Sequence, residues 1–63
     1  MIDDKWIKFA EESLDERYQI REMMKDDGHS FLIADMYYKG MLRMIENLGG
    51  DWTWDGKHHH IYI

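Results

Sequence analysis

The spacing of hydrophobic and polar positions changes once along this chain, at Gly49-Gly50, and the change separates a helical part from a strand part. The stretch from Ser30 to Leu48 is the most apolar run. At about 100° per residue, Phe31, Ile33, Ala34, Tyr37, Tyr38, Met41, Leu42, Met44, Ile45 and Leu48 share one arc roughly 180° wide. Asp35, Lys39, Arg43, Glu46 and Asn47 fall on the other arc, where Leu32 and Met36 intrude. A surface helix shows an apolar stripe of about 100°. The wider arc predicts a helix over 30–48 that is covered from two sides, by the rest of the chain or by a second copy.

A first helix is predicted over 3–27. Trp6, Ile7, Ala10, Leu14 and Tyr18 line one stripe, and Ile2, Phe9, Ile20 and Met24 a second beside it. Asp3 or Asp4 suits the N-cap, Lys25 the negative end of the dipole, and Gly28 the C′ position. Arg17 and Arg21 lie within the first stripe. They either lie across apolar surface with their heads in water or pair with an acid of the second helix. The link Gly28-His29-Ser30 is short, so the helices form an antiparallel hairpin, with Ser30 as the second N-cap. Gly40 interrupts the second helix at a cost of about 1 kcal/mol relative to Ala. It is either a site of close approach or a tolerated defect.

After Gly49-Gly50 the period becomes two. DWTW, Asp55-Gly56 and KHHHIYI predict a β-hairpin over 51–63, Asp-Gly being a strong two-residue turn signal. That turn sets Trp54 opposite Lys57, Thr53 opposite His58 and Trp52 opposite His59. Trp52, Trp54, Ile61 and Ile63 then share one face, and Asp51, Thr53, His58, His60 and Tyr62 the other. A two-stranded sheet is unstable alone, so the Trp/Ile face should lie on the helices. The expected architecture is a single α+β domain of order ααββ.

Composition narrows the function. Sixty-three residues without cysteine must fold without disulfides or thiolate metal sites. Nine aromatic residues and six Met supply apolar bulk in their place, and self-association would add more. Asp3 and Asp4 stand where a secretory leader has basic residues, and the 30–48 helix carries four charges, so the expectation is a cytoplasmic chain with no membrane span. The net charge of −5 is concentrated in residues 1–28, with nine acids against five bases. That balance disfavours direct nucleic-acid binding and favours a basic protein partner.

Three constellations could carry function. Asp4, Glu11, Asp15, Glu22 and Asp26 occupy a narrow arc of the first helix, a ridge about 33 Å long at 1.5 Å per residue. Its charges are spaced somewhat like nucleic-acid phosphates, which suits an inhibitor that mimics nucleic acid before a basic or nucleic-acid-handling protein. The alternative is a solvated helix face. Leu32, Met36, Tyr37 and Met44 are the candidate self-association residues, and the Met-rich composition suits an adaptable contact. His58 and His60, about 7 Å apart on one strand face, with Asp51 expected opposite His60, form a weak metal-ligand set. An exposed strand is the plainer reading, and no metal or other cofactor is expected. No nucleophile–base arrangement or phosphate-binding glycine loop is present, so the expected function is a non-enzymatic protein-binding module. The alternative is a homo-oligomeric structural or regulatory protein that uses the 30–48 helix as its interface.

Overall fold

A computed structural model describes residues 3–63; Ile2 of the predicted second stripe lies outside them. The element order is α1 (Asp4–Met23), α2 (Gly28–Asn47), β1 (Asp51–Trp54) and β2 (His59–Tyr62). The fold is therefore the α+β arrangement expected, a helical hairpin followed by a two-stranded antiparallel sheet.

The helix N-termini are set by side-chain caps, and one of these differs from the expectation. Asp3 caps α1 by accepting the N–H of Trp6 at 2.9 Å. At the link, Asp27 rather than Ser30 is the N-cap of α2. Its carboxylate accepts the Ser30 N–H at 3.3 Å and the Ser30 hydroxyl at 3.0 Å. An ionised carboxylate caps as well as a hydroxyl does and in addition suits the positive end of the helix dipole. Asp27 therefore starts α2 early, α1 ends at Met23 instead of residue 27, and Gly28 lies in the first turn of α2 rather than past the end of α1. At the other end of α2, Gly49 adopts φ +83°. Its N–H bonds Glu46 O and the Gly50 N–H bonds Ile45 O, both at 3.0 Å, the double closure of a Schellman stop.

The hairpin register also differs from the expectation. Trp54 pairs with His59, Thr53 with His60, Trp52 with Ile61 and Asp51 with Tyr62. Asp51 is thus opposite Tyr62, not His60. The cause is Asp55, whose Oδ1 accepts the N–H groups of both Lys57 and His58 at 2.8 Å. This folds residues 55–58 into a four-residue loop, with Gly56 at φ +101°, in place of a two-residue turn. The displacement is two positions, an even number, so the strand residues keep their faces. His58 leaves the strand altogether.

The core forms where hairpin and helices meet. Ala10 and Leu14 of α1, Tyr38, Leu42 and Ile45 of α2, and Ile61 of β2 are buried together, with Trp6, Ile7, Tyr18, Met41 and Trp52 packed around them. β2 lies on α1 and β1 on α2. Four-residue strands reach about 13 Å, whereas a 20-residue helix spans about 30 Å. The sheet therefore cannot cover α2 along its length, and its outer flank stays open. Leu14 is 0% exposed at the centre of this small core. Leu14→Ala is expected to lower the unfolding free energy by about 2–5 kcal/mol, much of what a small domain has. Urea denaturation would measure it, and a loss below about 1 kcal/mol would show that the core lies elsewhere.

Candidate functional site

The β-hairpin is held to α1 by two carboxylates one helical turn apart. Glu11 Oε2 accepts the Ile61 N–H at 2.8 Å, and Asp15 Oδ1 accepts the His59 N–H at 2.8 Å. In the observed register both N–H groups point away from β1, so the two acids cap the open edge of β2. Asp15 does more. Its Oδ1 also meets His59 Nδ1 at 2.7 Å, and its Oδ2 meets His58 Nδ1 at 2.9 Å. Beyond the ring, His59 Nε2 lies 2.7 Å from the Tyr38 hydroxyl. With a neutral ring, one tautomer satisfies the chain: Nδ1–H donates to Asp15 and Nε2 accepts the Tyr38 O–H. Asp15, His59 and Tyr38 thus connect α1, β2 and α2.

His59 is 1% exposed, boxed by Tyr18, Tyr38, Trp52 and Trp54 with ring centroids 4.7 to 6.0 Å away. Among the described residues no buried side-chain polar atom lacks a partner. Burial opposes ionisation of Asp15, but hydrogen bonds from His59 and His58 outweigh it and hold the carboxyl below its ordinary range. Burial pushes the Tyr38 hydroxyl up. This relay ends on a buried phenol at Tyr38, and at its Asp15 end it borders an open depression lined by Glu11, Asp15 and His58 to His60.

The acidic residues expected to form a free ridge are therefore divided. Glu11 and Asp15 face the hairpin. Glu22 bonds Lys25 at 2.8 Å and reaches Arg21 at 3.4 Å. Asp26 lies past the end of α1, in the link, and with Asp4 it remains exposed. Of the two arginines within the apolar stripe, Arg21 pairs with an acid of α2, its Nε 2.7 Å from Asp35 Oδ1, and its guanidinium sits 5.0 Å from the centre of the Phe31 ring. Hydrogen bonds from Lys39 and Arg21 lower the Asp35 carboxyl. Arg17 lies across Tyr37, 5.1 Å from the ring centre.

The histidine set is also dispersed. His58 turns to Asp15, His60 Nε2 bonds Asp55 Oδ2 at 2.7 Å, and the Asp51 carboxylate accepts the Trp52 N–H at 2.8 Å. Among the described residues no group of three or more His, Asp or Glu is placed to hold a metal ion. No described helix is long and apolar enough to cross a membrane.

The four candidate contact residues are solvent-facing on α2. Leu32 is 61% exposed, Met36 72%, Tyr37 59% and Met44 54%. Ile33, Met36 and Tyr37 line a shallow apolar groove. A second depression, beside Gly40, is bordered by Met36, Lys39 and Arg43. Searches of protein-family models, curated proteins and solved structures each return no match.

Two tests follow from these bonds. Tyr38→Phe removes the O–H that His59 Nε2 accepts and leaves a buried nitrogen unpaired, which should cost about 1–3 kcal/mol in urea denaturation; an unchanged midpoint would mean that the His59–Tyr38 bond adds nothing. The Asp55 side chain is held well below the carboxylate range by His60 and by the His58 and Lys57 N–H groups, and it raises His60 in turn. A raised His60 stabilises the fold fully below its ordinary 6.5, and the gain fades as pH climbs through the raised value. A depressed Asp55 stabilises above its ordinary 3.8, and loses that as pH falls through the depressed value. The pair is thus complete between these two ordinary values. In an NMR titration, Asp55→Asn should move the His60 midpoint down; an unmoved midpoint would contradict the pairing.

Proposed function

We propose that this chain is a non-enzymatic protein-binding module that acts through the outer apolar flank of α2. The observation that carries this reading is the clustering of Leu32, Ile33, Met36 and Tyr37 in solvent on one helix of a small protein. Single apolar residues on a surface are ordinary, but a contiguous group marks an interaction site. Met36 and Met44 give that surface side chains that adapt to a partner. Tyr37 gives it a rigid aromatic anchor of the type that dominates binding energies.

The acidic face has the secondary role. With Glu11, Asp15 and Glu22 engaged inside the chain, Asp4 and Asp26 remain as the exposed members of the set. The net charge of −5 still favours a basic partner, including a protein that handles nucleic acid, and inhibition of such a protein is the biological role this charge suits. Charge of this kind mainly speeds and selects encounter, while buried apolar anchors supply affinity.

Immobilised protein exposed to an extract of its source organism tests this division. Met36→Glu should reduce the retained partner by at least about tenfold, with helix content unchanged by circular dichroism. Asp4→Lys with Asp26→Lys should keep the partner and alter only the salt dependence of its capture. The reverse pattern would transfer the binding role to the acidic face.

A further inference from the structure

The run His58-His59-His60 has no part in the binding surface of α2, yet every ring in it meets a carboxylate. Two acids serve the three rings. Asp15 of α1 takes His58 Nδ1 at 2.9 Å and His59 Nδ1 at 2.7 Å, and Asp55 of the loop takes His60 Nε2 at 2.7 Å. His59 has both nitrogens bonded inside the aromatic box. His58 and His60 are open to water, with side chains 67% and 44% exposed, and their second nitrogens have no partner among the described residues. A neutral imidazole that donates to a carboxylate through one nitrogen takes up a proton at the other, and imidazole is the side chain whose charge changes near neutral pH. His58 can thus be charged at Nε2 and His60 at Nδ1 without breaking the bond that either makes.

We infer that these two outer histidines form a pH-dependent clamp. Taking up protons ties the hairpin more firmly to α1 through Asp15 and its 55–58 loop through Asp55, and releasing them slackens both. Charging a ring converts a neutral hydrogen bond into a charge-assisted one, shorter and roughly twice as strong. The surroundings favour that charge. α1 brings Lys8, Glu11, Glu12 and Asp15 to the depression that the rings line. The hairpin itself carries Asp55 and Lys57. At His59, α1 adds the Tyr18 ring and α2 the Tyr38 hydroxyl. Four acids stand against two bases, and two added protons bring the group to balance.

The charged groups bound the pH range. His60 is raised, chiefly by its hydrogen bond to Asp55. Its contribution is complete below the ordinary 6.5 and is lost as pH climbs through the raised value. Asp15 is held low: burial raises it, but the hydrogen bonds from His59 and His58 outweigh that. Its contribution is present above the ordinary 3.8 and is lost as pH falls through the depressed value. The clamp is closed between these two ordinary values and slackens above neutrality.

Urea denaturation at about pH 5.5 and about pH 8.5, at one fixed salt concentration, tests the inference. The folding equilibrium constant of the wild-type chain should be at least about threefold larger at the lower pH, the scale of two exposed ion pairs. Acidification also lowers the net charge of an acidic chain, so variants decide the cause. His58→Gln with His60→Gln should keep helix content by circular dichroism and lose most of the pH difference. His29→Gln removes the one histidine outside the run and should retain it. A wild-type constant that does not rise at the lower pH, a double variant with the wild-type difference, or a His29→Gln chain that loses it would each overturn the inference. An NMR titration of the wild-type chain gives a second reading that needs no variant. The His59 amide, bonded to Asp15, should shift with the midpoint of the His58 ring; an amide that ignores that midpoint would overturn the link through Asp15.

Discussion

The fold depends on how Asp15 is shared. A carboxylate on the middle of α1 accepts the backbone N–H of His59 and its ring Nδ1 on one oxygen, and His58 on the other. The far side of the His59 ring meets Tyr38 of α2. One charged group therefore fixes the lateral position of the hairpin and its register against α1, and reaches α2 through the ring. A two-stranded ribbon has little stability in water, and a helical pair of this size has a core too small to hold by itself. Each part needs the other. The polar chain is tolerable because every member is paired and the aromatic box excludes water, which strengthens its hydrogen bonds.

This arrangement determines what the surface has left to offer. Glu11 and Asp15 close the edge of β2, which would otherwise be open to further strands. They are thereby withdrawn from the acidic face. The apolar residues follow the opposite logic. The hairpin is short, it covers the helices where Tyr18, Tyr38 and Trp54 meet, and it leaves the outer flank of α2 in water. Binding capacity thus shifts from the charged helix to the apolar one, and charge is left to guide encounter.

Much of the architecture was legible in the chain. The 3.6-residue period of both helices, the change to period two after Gly49-Gly50, and the Trp/Ile face are all local patterns, and all correspond to observed elements. Competition between neighbouring polar side chains was not legible. Ser30 and Asp27 both suit a cap, and Asp27 prevails. Asp-Gly suits a two-residue turn, but the Asp55 carboxylate binds two N–H groups and lengthens the loop. The place of His59 on the apolar face follows from alternation, and a histidine there requires a buried partner. Which carboxylate supplies it depends on the packing of β2 against α1, a contact 44 residues apart in sequence. For the same reason, Glu11 and Asp15 read as surface charge when helix periodicity alone is considered. The open flank of α2 was half legible: its excess apolar width is plain in the sequence, whereas the short reach of the strands is not.

Amide hydrogen exchange at His59 and Ile61 tests most directly whether the carboxylates of α1 lock the hairpin into the core. The N–H groups of these residues are bonded to Asp15 and Glu11, not to a neighbouring strand. If the hairpin and helices form one cooperative unit, both amides exchange as slowly as that of Leu14, through global unfolding alone. Exchange of His59 and Ile61 at the rate of a free ribbon, with Leu14 still protected, would contradict it.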